Sequence, residues 1–450
     1  SRYFAAWLQS IGVKKGDRVA LMMPNLLQYP ICLFGAWRAG AVVVNTNPLY
    51  TAEELEHQLA DAGAEVIVVA ENFAHTVQKA LPRTPLKHIV VTGVGDMLGS
   101  IKGTVTNFVV RRVKKLIPEY ALPQARKLDE ILVLGRQCGY VRPALGHDDL
   151  ACLQYTGGTT GLAKGAMLSH GNLVANVHQA HAWVKPYLVE GEECIVTALP
   201  LYHIFALTAN CLTFIKLGAC NLLILNPRDI PEFVHSLTQV KFSAITGVNT
   251  LFNALLNNTD FAKLDFSSLK LTLGGGMAVQ EAVAERWLQV TRVPLTQAYG
   301  LTETSPAVCI NPLDRRDFTG SIGLPVPSTE IAIRDHADQD LGIGEVGEIC
   351  VRGPQVCSGY WNRPDETAAA FHADGFLRTG DIGLVDEQGY LYIKDRKKDM
   401  IVVSGFNVYP NEVEAVAVQH PDIIEAAAVG VPDPHSGEAV KLFVISRNPA

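Results

Sequence analysis

One glycine- and threonine-rich run holds the side chains best suited to chemistry in this chain. Residues 156–165 read TGGTTGLAKG. Glycines let backbone N–H groups approach a polyphosphate closely, threonine hydroxyls add donors, and the lysine adds a mobile positive charge. We predict a cradle for a nucleoside triphosphate. Its candidate ligands are Thr156, Gly157, Gly158, Thr159, Thr160, Gly161 and Lys164.

The setting of this run differs from that of a Walker A loop. Lys164 follows Ala163 and precedes Gly165, where a Walker A loop has glycine before its lysine and serine or threonine after it. Residues 151–155 read as a buried strand, and residues 166–168 form a second short apolar run. The pattern predicts strand–loop–strand, with a polar surface loop as the alternative.

Further along the chain, separate patterns add groups that suit a nucleotide. A flat base can lie against the glycines of Gly274–Met277, because these residues lack bulk. Glu303 in the run QAYGLTET offers the hard oxygen that Mg²⁺ prefers. Asp381 in GFLRTGDI offers a carboxylate for two ribose hydroxyls. Alone, each has a plain alternative: a tight turn or a solvated carboxylate.

Taken in this order, the patterns resemble those of the adenylate-forming (acyl-AMP) enzymes, which include acyl-CoA synthetases, luciferases and adenylation domains. The resemblance covers essentially the whole chain. It is greatest to bacterial long-chain fatty-acid–CoA ligases, through NPRDIP at residues 226–231 and TGVNTLFNALL at residues 246–256.

The resemblance implies a role for each matching residue. ATP and AMP would contact the loop above together with Gly275, Gly276, Met277, Tyr299, Gly300, Thr302, Asp381 and Arg396. Lys164, Thr302 and Glu303 would be catalytic, and Glu303 and Thr159 would hold Mg²⁺. The acyl group would lie near His203, Gly247, Val248 and Asn249. Ser404 and Gly405 would approach coenzyme A, and Asp395 would be the hinge.

The implied reaction joins a fatty acid to coenzyme A at the expense of ATP, with Mg²⁺ as cofactor. Within the family, three alternatives stay open: another acid such as a coumarate, a luciferase-like oxidoreductase, or a non-catalytic acyl-nucleotide sensor. Without the motif, His203 in its apolar run would be an ordinary core histidine. The apolar segment from Val248 to Leu256 favours a medium or long acyl chain.

Composition narrows the class of protein. The chain has 450 residues, enough for at least two domains, and a formal net charge of −7, which gives no indication of nucleic-acid binding. Nine cysteines are scattered without C-x-x-C spacing, which favours a reducing, cytoplasmic setting. No apolar run has the length of a membrane span. A homodimer stays open.

The succession of elements predicts an α/β fold. Helical and strand patterns alternate over residues 1–149 and again over 150–316, which indicates two doubly wound subdomains. Short strands with frequent glycines over 317–394 predict a small β-barrel-like subdomain. Residues 395–450 would then hold the hinge and the start of a small α+β domain. We expect a longer natural protein, whose C-terminal part carries the family's second catalytic lysine.

A basic amphipathic stretch stands apart from these motifs. Apolar residues recur at helical spacing from Val105 to Ile117, and Arg111, Arg112, Lys114 and Lys115 lie between them. Such a helix can lie on the anionic inner face of a membrane. The alternative is an ordinary surface helix packed on its domain.

Overall fold

The fold is described from a computed structural model covering residues 1–156, 163–403, 406–420, 422–433 and 436–446. The chain forms two compact units. Unit one comprises residues 1–308, 313–318 and 354–369, and unit two comprises 309–312, 319–353 and 370–450. The predicted domain division at residues 394/395 stays a prediction.

A largely parallel sheet forms the first half of unit one. Its spatial order is β5-β4-β3-β1-β2-β6-β7, parallel throughout except for the last pair. The strands are β1 (Arg18–Met22), β2 (Val42–Asn45), β3 (Val66–Ala70), β4 (His88–Thr92), β5 (Arg126–Lys127), β6 (Leu150–Thr156) and β7 (Lys164–Ser169).

Helices alternate with these strands as predicted. They are α1 (Arg2–Ser10), α2 (Gln28–Ala39), α3 (Ala52–Ala62), α4 (Ala74–Ala80), α5 (Ser100–Phe108) and α6 (Leu128–Gln137). Gly40 and Gly63 end two of them in the left-handed conformation, at φ of 83° and 62°, which a glycine adopts without steric cost. Thr51 and Glu54 begin α3 with a capping box.

A second parallel sheet of unit one has the order β12-β11-β10-β8-β9. Its strands are β8 (Cys194–Thr197), β9 (Cys220–Leu223), β10 (Ala244–Gly247), β11 (Leu271–Gly274) and β12 (Leu295–Gly300). The accompanying helices are α7 (His170–Val184), α8 (Thr213–Lys216), α9 (Ile230–Thr238), α10 (Asn249–Leu256) and α11 (Glu281–Thr291). Phe252 and Trp287 are fully buried between α10 and α11, with ring centroids 4.8 Å apart.

Unit two contains two antiparallel sheets. Outside these two sheets, β13 (Ala307–Ile310) pairs antiparallel, through Cys309 and Ile310, with β14 (Leu324–Pro325). The first sheet holds β15 (Glu330–Arg334), β16 (Gly347–Arg352), β17 (Leu377–Val385) and β18 (Leu391–Arg396). The second, in the order β20-β19-β22-β21, holds β19 (Ile401–Val403), β20 (Phe406–Val408), β21 (Ile423–Asp433) and β22 (Gly437–Ser446). Its helix is α13 (Pro410–Ala417).

Two sequence expectations about elements are corrected. Within 317–394, predicted as all β, residues Pro364–Ala370 form helix α12. The basic amphipathic helix does not reach Ile117: α5 continues in wider π-helical turns over Val109–Val113, and Lys115 takes a φ of 49°. None of the helices in the described ranges combines the length and apolarity needed to span a bilayer.

Candidate active site

The predicted ligand-binding residues of the second sheet lie at one edge. Gly247 is paired with Gly274, and Gly274 with Gln297, so β10, β11 and β12 end side by side. The segments that follow carry Val248, Met277 and Glu303. In parallel α/β sheets, ligands bind at the carboxyl ends of the strands. The topology therefore brings together residues that are far apart in sequence.

Two glycines at this edge, Gly275 and Gly300, are crowded by neighbouring atoms, and Gly276 is not. A Cβ on Gly275 would lie 3.1 Å from the Phe205 ring and 3.2 Å from the carbonyl oxygen of Ala298. Gly276 has a φ of 79°, which strains other residues. A Cβ on Gly300 would overlap the carbonyl oxygen of Pro306. The atom nearest to a Cβ on Gly276 would be Val248 Cγ1, at 3.7 Å, so a ligand could approach this backbone beside the exposed side chain of Met277.

The strands on either side of the predicted phosphate loop pair as an antiparallel hairpin, in agreement with the strand–loop–strand pattern. Thr156 at the end of β6 pairs with Lys164 at the start of β7. Ser169 and Asn172 cap α7 directly after the hairpin. Gly157, Gly158, Thr159, Thr160 and Gly161 lie outside the described residues, and their roles stay predictions.

Tyr360 lies between the two charged residues predicted to be catalytic, and sequence analysis did not identify it. Its hydroxyl donates a hydrogen bond of 2.7 Å to Glu303 Oε1. The Lys164 ammonium lies 5.6 Å from the centroid of its ring, a cation–π contact. Burial, followed by the nearby Glu303 charge, raises the pKa of the phenol well above its usual range, so Tyr360 stays a hydrogen-bond donor.

The segment around Tyr360 is fixed to the hairpin by backbone hydrogen bonds. Met167 donates to the carbonyl of Gly359, and Trp361 donates to the carbonyl of Gly165. Cys357 donates at 2.7 Å to the carbonyl of Glu303. This stretch therefore sets the spacing between Lys164 on the hairpin and Glu303 on the turn after β12.

Glu303 suits a magnesium ion that is shared with a polyphosphate. It lies in a short 3₁₀ turn, Thr302–Thr304, and its side chain is partly exposed. Among the described residues, no group of three His, Cys, Asp or Glu side chains could form a complete protein cage for a metal. One carboxylate is enough when phosphates and water supply the other ligands, which is the usual arrangement for Mg²⁺.

A backbone hydrogen bond favours one tautomer of the His203 ring. The backbone N–H of Phe205 donates to its Nδ1 at 3.3 Å, which leaves the ring proton on Nε2. Surrounding protein atoms lower the pKa of His203 by desolvation, although its side chain is exposed. It therefore presents a neutral N–H donor, which can bond a carboxylate oxygen.

Two of the predicted acyl-binding residues, Gly247 and Asn249, already contact other parts of the protein. Gly247 ends β10 against the Phe252 ring, and Asn249 is buried with its Oδ1 accepting from the backbone of Gln280. The apolar residues that suggested a long-chain tunnel, including Phe252 and Leu255, lie in the hydrophobic core of the second sheet. Their apolar character is explained by packing, so it no longer indicates chain length.

In unit two, Asp381 and Arg396 are opposite each other on neighbouring strands. They are register partners in the β17–β18 pair, with Arg396 Nε 3.6 Å from Asp381 Oδ1. Asp381 is buried, while the Arg396 side chain is 61% exposed. An exposed guanidinium beside a carboxylate fits the predicted contacts to ribose and phosphate.

Asp395 joins the end of β18 to the small sheet and its helix. Its carboxylate accepts from the backbone N–H of Arg396 at 2.7 Å and of Asn411 at 3.0 Å. Asn411 is in the first turn of α13, where a negative charge is stabilised by the helix dipole. The predicted hinge residue is thus buried at an element junction. Ser404 and Gly405 lie outside the described residues.

Comparison with known proteins identifies the class: the chain belongs to the AMP-binding enzyme family. That family's model matches residues 1–361, and the model of the AMP-binding enzyme C-terminal domain matches residues 412–450.

Individual relatives narrow this class. The chain is 59% identical to a long-chain-fatty-acid–CoA ligase of Escherichia coli O157:H7, over 100% of this chain and 80% of that protein. It is 34% identical to a feruloyl-CoA synthase of an Amycolatopsis species, over 97% and 80%. The structure of ATP-bound MatB from Rhodopseudomonas palustris superposes with a TM-score of 0.83 at 27% identity, covering 100% of this chain and 82% of that one.

Proposed function

We propose that the protein activates a long-chain fatty acid with ATP and transfers the acyl group to coenzyme A, releasing AMP and pyrophosphate. The observation that carries this assignment is the 59% identity to a long-chain-fatty-acid–CoA ligase along the whole chain. The match to a feruloyl-CoA synthase is weaker, at 34%, and makes an aryl acid the second candidate.

In the first half-reaction, an oxygen of the fatty carboxylate attacks the α-phosphorus of ATP, and the bond to pyrophosphate breaks. Neutral His203 donates its Nε2 proton in a hydrogen bond to the carboxylate without protonating it. Lys164 balances the charge that gathers on the phosphates. Glu303 and Thr159 would hold magnesium, which would supply positive charge to the phosphates. Positioning provides most of the remaining acceleration.

In the second half-reaction, the thiolate of coenzyme A attacks the acyl carbonyl, and AMP leaves. Ser404 and Gly405 would contact the arriving thiol, and Asp381 with Arg396 would retain the ribose and phosphate of AMP. We infer that rotation of the C-terminal domain about Asp395 separates the two half-reactions. The hydrogen bond from Asn411 to Asp395 supports this, because movement of α13 must change it.

The activity test uses the full-length protein with MgATP and measures pyrophosphate release with palmitate, ferulate and acetate. Each methylene of the acyl chain that is buried on binding contributes about 0.8 kcal/mol to the binding free energy. Two additional methylenes should therefore raise kcat/KM by about tenfold. We expect palmitate to give the highest kcat/KM. Glu303→Gln, which keeps the volume and removes the charge, should lower it at least about tenfold. Faster turnover of ferulate would favour the aryl-acid enzyme, and turnover of acetate equal to that of palmitate would refute chain-length selectivity.

We also propose that the α5 region contacts an anionic membrane surface. Gly103 is buried and the Asn107 side chain bonds to Gly95 and Asp96, so this face of the helix packs on unit one. The opposite face exposes Ile101, Val105 and Phe108, at 81%, 57% and 60%. Exposed basic residues flank it: Lys102, Arg112, Lys114 and Lys115. Arg111 is paired with Glu71 and contributes less.

Sedimentation with vesicles tests this contact. Vesicles with 30% phosphatidylglycerol should bind the protein more tightly than pure phosphatidylcholine, since each basic side chain contributes about 1 kcal/mol near an anionic surface. Reversing Arg112, Lys114 and Lys115 to glutamate should abolish the difference. The matched control reverses Lys79, Lys185 and Lys241, which are exposed elsewhere on unit one. Equal binding by the two triple variants would contradict the proposal.

A further inference from the structure

Two buried side-chain amides, one on a strand of the first sheet and one just after a strand, hold the loop that carries His203. The loop runs from Thr197, the last residue of β8, to Phe205. Asn25, which follows β1, donates to the carbonyls of Thr197 and Leu199, each at 2.9 Å, and accepts from the N–H of Leu201 at 2.8 Å. Both of its donors and its acceptor oxygen are thus used on one backbone segment.

Gln154 holds the same loop one residue before His203. It lies on β6, two residues before Thr156, and its Nε2 donates to the carbonyl of Tyr202 at 2.8 Å. Its Oε1 accepts from Asn45 at 2.9 Å. The strand that leads into the phosphate hairpin is therefore joined through one side chain to the backbone of the His203 loop.

A supporting network fixes the orientation of the Gln154 amide. Asn45 on β2 donates from its Nδ2 to Gln154, and its Oδ1 accepts from the hydroxyl of Tyr29 at 2.6 Å. The Tyr29 hydroxyl is a donor, since complete burial raises its pKa well above the usual value. Because Tyr29 donates to the Oδ1 of Asn45, the Nδ2 of Asn45 faces the Oε1 of Gln154, and the Nε2 of Gln154 is left to face the Tyr202 carbonyl. Gln154 is 4% exposed and Asn25 5%, so water cannot easily replace either contact.

We propose that Asn25 and Gln154 are positioning residues for the fatty-acid carboxylate. They set the distance between the phosphate hairpin and the His203 ring by holding the loop backbone. The inference rests on the proposed function, because it takes His203 as the carboxylate's partner. Phe205, two residues further along, also restrains the His203 ring. Its backbone N–H donates to Nδ1 of His203, and its own ring packs beside Gly275.

The principal test is Gln154→Met, which keeps length and volume and removes the amide. Steady-state kinetics of the full-length protein would be measured with palmitate and MgATP varied separately. We expect kcat/KM for palmitate to fall about 10- to 100-fold, as for a buried carbonyl left without its donor, and KM for ATP to change less than about threefold. Gln28→Met is the matched control, because Gln28 is equally buried but bonds Thr92 and Gly93, away from the loop.

A double-mutant cycle with His203→Ala distinguishes positioning from general stability. If Gln154 acts through His203, Gln154→Met should cost little in the His203→Ala background. If Gln154→Met does not fold, Asn25→Ala is combined with His203→Ala in its place. Additive losses, or equal effects of Gln154→Met and Gln28→Met on both substrates, would overturn the inference. A wild-type protein inactive with every fatty acid would instead refute the proposed function, and this inference with it.

Discussion

Tyr360 illustrates how one residue can organise two charged groups. Its ring lies beside Lys164, and its hydroxyl bonds Glu303. A hydrogen bond to a carboxylate contributes roughly 1.5–3 kcal/mol, more than a neutral one. Under the proposed function, the same phenol would restrict the Glu303 side chain to one orientation before a metal–nucleotide complex binds. Preorganisation of this kind lowers the cost of forming the bound state.

We therefore predict that Tyr360→Phe lowers kcat/KM for MgATP about tenfold, since the ring beside Lys164 remains and only the hydroxyl is lost. The Mg²⁺ concentration for half-maximal activity should rise as well. Magnesium titrations of pyrophosphate release at saturating palmitate measure both quantities. Tyr187→Phe, at an exposed position of the same unit, should match wild type. An unchanged magnesium requirement in Tyr360→Phe would exclude the role assigned to the hydroxyl.

At the scale of elements, Asn172 joins α7 to the segment that carries Tyr360. Its Oδ1 accepts from the N–H and hydroxyl of Ser169, and its Nδ2 donates to the carbonyls of Pro354 and Val356, each at 2.9 Å. A capping residue normally serves its own helix. Here the cap also holds a segment that returns to unit one from far along the chain.

Asn172→Ala should consequently destabilise unit one by about 2–3 kcal/mol, the sum of the lost half of the capping box and two lost hydrogen bonds of about 1 kcal/mol each. Because the Tyr360 segment loosens, KM for MgATP should also rise. Thr51→Ala is the control: it breaks the capping box of α3, should cost about 1 kcal/mol, and should leave the kinetics unchanged. Urea unfolding and steady-state kinetics on both variants test the prediction. Identical kinetics for the two would show that Asn172 is only a cap.

The elements themselves could be predicted because local signals coincide with them. The left-handed Gly40 and Gly63 end two helices of the α/β alternation predicted for residues 1–149, and the hairpin around Lys164 follows the predicted strand–loop–strand order. Tyr360, Asn25 and Gln154 could not be predicted. Each acts through partners more than 45 residues away, and a single tyrosine or amide has no local pattern that indicates such a contact.

At the scale of the whole molecule, burial determines which cysteines can react. All nine are free thiols within the described ranges, and all of them are buried except Cys138, which is partly exposed, and Cys220, which is exposed. Cys350 lies 3.3 Å from His372 Nε2, a spacing that also occurs in nucleophilic pairs. Burial nevertheless raises the pKa of Cys350 to about 12, so the thiol stays protonated.

We predict that only Cys138 and Cys220 of the native protein react rapidly with a thiol reagent at pH 8. A buried thiol with a pKa of about 12, such as Cys32, is thiolate in about one molecule in ten thousand at that pH, and the reagent cannot reach it. Absorbance with Ellman's reagent should show two fast equivalents before denaturation and nine after it. In a Cys138→Ser, Cys220→Ser double variant, the fast phase should vanish while activity with palmitate persists. A fast phase that survives, traced by mass spectrometry to Cys350, would mean that this thiol of β16 opens to solvent and that burial does not keep it protonated.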